Sequence, residues 1–254
     1  MMSEQNVNIV DVDSLIYIVC YNKKDEPIKS LDEVFKSVDS FLETMFRETK
    51  STHYLMYLTV GRGKRYEVYP EYKKNREGKE KPPLFDFVKE YLITKYAAHW
   101  RHGIESDDMC LASKKLLDKQ GIKCFMSSVD NDVLMLEGVN YNYSKKVWVE
   151  TNQEQAAYKF WGDMISGQTG DNIKGIPKKG PKYVEQLFAS CHWSQYPRKV
   201  FGAYMDYYGE KGIEEMYKSY AVLKILESIE GFELPSVQAV QPGYDKWLET
   251  NERI

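Results

Sequence analysis

The strongest constraint on this chain lies at its start, where the β-branched run VNIVDVDSLIYIV gives way to LDEVFKSVDSFLETMF. The first reads as a buried strand ending on Asp11 and followed by a helix from near Ser14; the second repeats Leu31, Val34, Phe35, Val38, Phe41, Leu42 and Met45 at helical spacing. HYLMYLTV then reads as a second strand and IKCFMSS as a third, with helices over Leu84 to Tyr96 and Ser106 to Lys119 between them. Strands alternating with helices predict an α/β fold: a mainly parallel central sheet flanked by helices, with a functional site at the carboxyl ends of the strands. The polar-aromatic YNYSKKVWVE reads as a hairpin.

After Gln153 the character changes to EQAAYKFWGDMI, a loop rich in glycine and lysine, a helix from Pro181, and aromatic helices to about Ile229. The expected division is an α/β core over 1–152, a helical region over 153–228 packed on that core, and a C-terminal tail over 229–254. No apolar stretch is long enough to span a bilayer and no basic leader precedes one, so the expectation is a soluble, cytoplasmic protein with no membrane partner, in the host cytoplasm were it phage-encoded. The four cysteines lie far apart with no CxxC, which argues against structural zinc and a disulfide framework.

The net charge of −3 conceals two basic segments. Residues 62–81 carry Arg62, Lys64, Arg65, Lys73, Lys74, Arg76, Lys79 and Lys81 against four glutamates, and 174–182 carry Lys174, Lys178, Lys179 and Lys182 with no acid. A solvated face is the ordinary explanation of one such run; two on an acidic background fit phosphate binding.

The acids sit where strands end or helices begin. Asp11 closes the first strand, Glu105, Asp107 and Asp108 open a helix, Asp130 and Asp132 follow the third strand, and Asp171 lies in the glycine-rich loop. Any one of them is an ordinary helix cap or loop residue. Converging at one sheet edge they would repel one another unless cations lay between them, and hard oxygen ligands select magnesium or manganese. Two such ions about 3.5 to 4 Å apart clamp the attacking and leaving oxygens of an in-line displacement, which suits phosphodiester hydrolysis.

In order, IVDVDSLIY, PEYKKNRE, GIESDD, SSVDNDVLML and GDNIKGIPKKGPK resemble the motifs of the 5′ nuclease and flap endonuclease superfamily, which includes phage 5′-3′ exonucleases and the nuclease domain of bacterial DNA polymerase I. The resemblance implies a PIN-like 5′ nuclease fold with a helical DNA-gripping region. It implies one Mg²⁺ or Mn²⁺ near Asp11, Glu105, Asp107 and Asp108, a second near Asp130, Asp132 and Asp171, and Lys73 and Arg76 on the scissile phosphate. DNA contacts would come from Lys64, Arg65, Tyr72, Gly175, Lys178, Lys179, Gly180 and Lys182, with K⁺ at the Gly170 to Gly180 loop. The implied partners are branched, nicked or 5′-ended duplex DNA and RNA-DNA hybrids.

Two departures stand out: Gln168 occupies a position where the family has an aspartate, and the stretch after the second strand, TVGRGK, has none. Asp163 is a candidate to compensate. The segment from Arg76 to Gly103 would form a short arch, with Phe85, Phe87, Tyr91 and Trp100 either stacking on bases or packed in the core. Three other readings remain open: a structure-selective DNA-binding protein with a weakened metal site, a haloacid-dehalogenase-like phosphatase using Asp11 as nucleophile and Asp13 as acid or base, and a PIN-type ribonuclease.

Overall fold

A computed structural model describes residues 5–22, 26–28 and 30–240. The elements run β1 (Val7–Asp11), α1 (Asp13–Val19), α2 (Leu31–Thr49), β2 (His53–Tyr57), α3 (Arg65–Val68), α4 (Phe85–Tyr96), α5 (Ser106–Lys119), β3 (Cys124–Ser127), β4 (Gly138–Asn142), β5 (Val147–Thr151), α6 (Gln153–Ser166), β6 (Gly167–Gln168), β7 (Ile173–Lys174), α7 (Pro181–Phe188), α8 (Tyr196–Tyr208), α9 (Gly212–Leu223) and β8 (Gln238–Ala239). The main sheet has the order β5-β4-β3-β1-β2-β8. β1 pairs in parallel with β2 and β3, and β3 with β4, while β5 and β8 are antiparallel edges. This is the expected mainly parallel α/β sheet, and β4 and β5 are the expected hairpin.

Successive side chains of a strand point to opposite faces, and β1 shows the consequence. Val10 joins Met56, Val34, Val38, Leu42, Val88 and Leu92 under α2 and α4, whereas Val7 and Ile9 join Leu55, Met109, Cys110 and Leu117 under α5. Both faces are therefore covered, which is why β1 reads as a nearly continuous apolar run. Ser30 caps α2 by accepting from Glu33 N, and Asn152 and Gln155 form a reciprocal capping box at the start of α6. That cap marks the change of character after Gln153: α6 to α9 enclose their own cluster around Ile165, Val184, Val200, Tyr204 and Val222.

One expectation changes. The predicted tail does not begin as one: Ile229, Phe232, Leu234 and Val237 pack against the α5 face, and Gln238 and Ala239 pair with Tyr54 and His53 as the sixth strand. Residues 241–254 of that tail lie outside the described residues. The predicted Leu84 to Tyr96 helix is α4, seated on α1 and α2, because Leu84, Val88 and Leu92 recur on one side and are buried. Phe87 and Trp100 stay exposed, and Tyr91 stacks on Phe35 at 4.1 Å. Among the described residues no helix is long and apolar enough to cross a membrane.

Candidate active site

The parallel strands all end at one edge, and their sequence continuations carry the acids there. Asp11 is the last residue of β1; its Oδ2 accepts from Ser128 Oγ at 3.1 Å, just past β3. Ser128 Oγ also accepts from Asp130 N at 3.1 Å, and Asp130 Oδ1 from Asp132 N at 2.9 Å, so the DND turn is set relative to Asp11 by short polar links. On the other side Ser106 donates its N–H to Thr59 Oγ1 at 3.0 Å and its hydroxyl to Tyr57 O at 2.8 Å, pinning the start of α5 to the end of β2. Glu105, Asp107 and Asp108 are delivered by that anchor.

The segment PEYKKNRE faces these acids. Lys73 Nζ lies 2.6 Å from Glu105 Oε2 and 3.6 Å from Asp171 Oδ2, and Arg76 is paired with Asp171. The Tyr72 hydroxyl is 3.0 Å from both Glu105 Oε2 and Asp171 Oδ2. Lys73 N donates to Asp171 O at 2.8 Å, so the tip of the β6–β7 hairpin is held against the core through both backbone and side chains.

Three expected roles change on this geometry. Tyr72 is 2% exposed and Arg65 is buried, so neither reaches a bound duplex. Arg65 instead donates to both oxygens of Asp108 at 2.7 and 2.8 Å, to Val222 O at 3.1 Å and to Lys224 O at 3.1 Å. Asp108, which also accepts from Leu226 N at 2.8 Å, is thus engaged on both oxygens by groups that join α5 to the end of α9. Arg65 also lies 3.6 Å from Glu105 and 3.9 Å from Asp107.

The acids are unevenly neutralised. Burial pushes Glu105 up, but Lys73 and Arg65 outweigh it and hold its carboxyl below the usual value. Burial, reinforced by Asp13, pushes Asp11 up to about 7. Asp132 also rises to about 7, through burial and the charges of Asp130 and Asp171. Asp107 is raised by burial despite Arg65.

Gln168 donates Nε2 to Asp132, while its Oε1 is buried with no hydrogen-bond partner among the described residues. Asp163 is paired with Lys159, which removes it as a substitute for the missing loop acid. The donor set therefore fits a hard divalent cation: crowded carboxylates short of positive charge at Asp11 and Asp132, and one orphaned amide oxygen. Among the described residues no three of His, Cys, Asp and Glu are grouped closely enough to hold a metal ion by themselves.

Beside the acids the glycine- and lysine-rich loop leaves Lys174, Lys178 and Lys182 exposed and Lys179 half-buried; Lys64 on the other basic segment is exposed. Lys179 Nζ sits 3.9 Å from the centre of the Tyr183 ring. Gly175 has a packing role: a Cβ there would lie 2.1 Å from Ile165 O, so only glycine lets the hairpin close on the end of α6. Gly180 is the N-cap of α7, with Pro181 as its first residue.

Two residues at this edge were not part of the site read from the sequence motifs. Asp13 accepts from Thr59 N at 2.9 Å, and Tyr17, one helical turn later, is 46% exposed with its ring 5.1 Å from Phe85. The available signal was the spacing of Asp13 and Tyr17 at i and i+4 on a helix whose first turn follows Asp11.

No family model matches the sequence. The 5′-3′ exonuclease of Buchnera aphidicola subsp. Acyrthosiphon pisum is 28% identical over 199 residues, 69% of this chain and 67% of that protein. The flap endonuclease Xni of Aeromonas salmonicida is 28% identical over 142 residues, 48% of this chain and 51% of that protein, so the match spans about half of it. Among solved structures, the D15 protein of phage T5 crystallised with metal ions superposes with a TM-score of 0.68 at 17% identity, over 87% of this chain and 90% of that one. The same phage protein has also been solved with DNA and metal ions, and there the TM-score is 0.58 at 17% identity, over 86% of this chain and 99% of that one.

Proposed function

We propose, since the chain belongs to the 5′ nuclease superfamily, that it is a structure-selective nuclease that hydrolyses phosphodiester bonds at 5′ ends, nicks or branches of duplex DNA in a divalent-metal-dependent reaction. The observation that carries this reading is the meeting of Lys73 and Arg76 with Glu105 and Asp171 at the strand edge, beside a loop that exposes Lys174, Lys178 and Lys182. Mg²⁺ or Mn²⁺, when bound, supplies a water acidic enough to attack and a counter-charge for the leaving oxygen.

Asp11, Glu105, Asp107, Asp130, Asp132 and Asp171 are the carboxylates for one or two such ions, with Gln168 Oε1 a neutral donor beside Asp132. Glutamine neutralises no cation, so the side of the site near Asp130 and Asp132 binds its ion more weakly than the side near Asp11. Lys73 and Arg76 are the cations placed to meet the scissile phosphate and its developing charge. Arg76 is half exposed and reaches solvent; Lys73 is mostly covered and orients Glu105.

Lys178, Lys179 and Lys182 would grip the duplex backbone, and loop carbonyls between Gly170 and Gly180 would be the groups to hold a K⁺ ion. Such contacts read shape and not sequence. The exposed Tyr17 ring and its neighbour Phe85 offer a stacking surface to a base at the site.

Gln168 and the engaged Asp108 favour one second reading, a protein that binds the same DNA structures and cuts them slowly. A panel of 5′-labelled nicked, flapped and RNA-DNA hybrid duplexes, run with Mg²⁺ and with Mn²⁺ beside a gel-shift assay, separates the two. Release of short 5′ products supports the nuclease; tight binding without release in either metal supports the binder.

A further inference from the structure

β1 and β2 lie side by side and parallel, with Asp11 opposite Tyr57. An acid just beyond Tyr57 would therefore stand next to Asp11 at the site edge. The chain has Leu58, Thr59, Val60 and Gly61 there, none of them charged. A carboxylate nevertheless arrives at this place from the neighbouring element. Asp13, in the first turn of α1, accepts the Thr59 N–H on Oδ1 at 2.9 Å, and its own N–H lies 3.2 Å from Asp11 Oδ1. Thr59 Oγ1 in turn accepts from Ser106 N, the residue after Glu105. One residue, Thr59, thus sets the Asp13 carboxylate on one side and the start of α5 on the other.

The hydrogen bond to Thr59 does not need that charge. A neutral amide would accept the same N–H, whereas a carboxylate two residues from Asp11 adds repulsion to an edge already crowded with acids. A divalent cation between Asp11 and Asp13 would offset that repulsion.

We infer that Asp13 is a further carboxylate of the divalent-cation centre, standing where the end of β2 supplies none. The inference rests on the metal-dependent reading above and adds to it a residue particular to this chain's DVD sequence.

Asp13→Asn isolates the charge, because the amide oxygen keeps the Thr59 bond. Mn²⁺ binding to the full chain without DNA is followed by isothermal titration, together with the melting temperature in EDTA and in Mn²⁺. Expected is Mn²⁺ binding weakened on the order of ten-fold or more, as for loss of a group close to a metal, with the melting temperature in EDTA unchanged or higher. Mn²⁺ binding equal to wild type in Asp13→Asn, alongside weakened binding in Asp11→Asn, overturns the role of Asp13 and leaves the metal-dependent reading standing. A fall in melting temperature as large in EDTA as in Mn²⁺ assigns the charge to folding and overturns it as well. Wild-type protein that binds no Mn²⁺ removes both.

Discussion

Lys73 holds its ammonium 2.6 Å from Glu105 Oε2, so a cation expected on the substrate is also the counter-ion of an acid expected on the metal. Burial alone would lower the Lys73 pKa, but Glu105 and Asp171 more than offset it and leave the side chain charged throughout the working pH range. Lys73→Ala removes that charge from the reacting phosphate and leaves Glu105 facing Asp171 through Tyr72 alone. Single-turnover cleavage is expected to slow about 10²- to 10³-fold, the size of effect seen when one positioned transition-state donor is removed. DNA affinity should change much less. A rate within two-fold of wild type would remove Lys73 from the chemistry.

Arg65 is expected to matter to folding before binding. Both oxygens of Asp108 and two carbonyls of the α9 end depend on its guanidinium. Breaking a buried pair by removing one partner costs about 3–5 kcal/mol, so Arg65→Met should lower unfolding stability by that order in urea titrations. Unchanged stability with weaker DNA binding would restore Arg65 to the DNA surface.

Asp11 and Asp132, each pushed to about 7, hold protons more tightly folded than unfolded. The sign follows: their contribution to stability is fully present below the unfolded carboxylate value near 4 and is lost as pH rises through about 7. A divalent cation needs the ionised forms and offsets that loss. The rise in melting temperature produced by saturating Ca²⁺ should therefore be small at pH 5.5 and grow steadily to pH 8. A rise that does not vary with pH would show that neither carboxylate competes with the ion for protons.

Lys178 and Lys182 are exposed and Lys179 is half-buried on the glycine- and lysine-rich loop. Replacing all three with alanine should weaken binding to nicked duplex and flatten the plot of log affinity against log salt by about 2 to 3 units of slope, close to one for each phosphate no longer neutralised. Cleavage at saturating DNA should stay near wild type. An unchanged salt slope would place the duplex elsewhere.

Much of the site was legible because its residues fall at strand ends and helix starts, where local patterns are strong. Asp11 follows a β-branched run, and Glu105 precedes an apolar helical repeat. Burial was not legible in the same way. Arg65 and Lys64 are neighbours in GRGKR, yet one is sealed against Asp108 and the other exposed, because the partner that claims Arg65 comes from α5 and α9, far along the chain. Tyr72 was misread for the same reason: two acids distant in sequence, Glu105 and Asp171, converge on its hydroxyl. Asp13 was legible only as the acid or base of a phosphatase, because the Thr59 N–H that it accepts lies 46 residues along the chain. β8 gave no local signal because two residues carry no periodicity, and only pairing with His53 and Tyr54 makes them a strand.

The central claim, that acids at the strand edge carry metal-dependent 5′ cleavage, is tested most directly by Asp130→Ala plus Asp132→Ala on a 5′-labelled nicked or flapped duplex in Mg²⁺ and in Mn²⁺. Expected are short 5′ products from the wild-type protein only when metal is present, none from the double variant, and gel-shift binding of the same DNA by both. Cleavage in EDTA, or full release of product by the double variant, would contradict it.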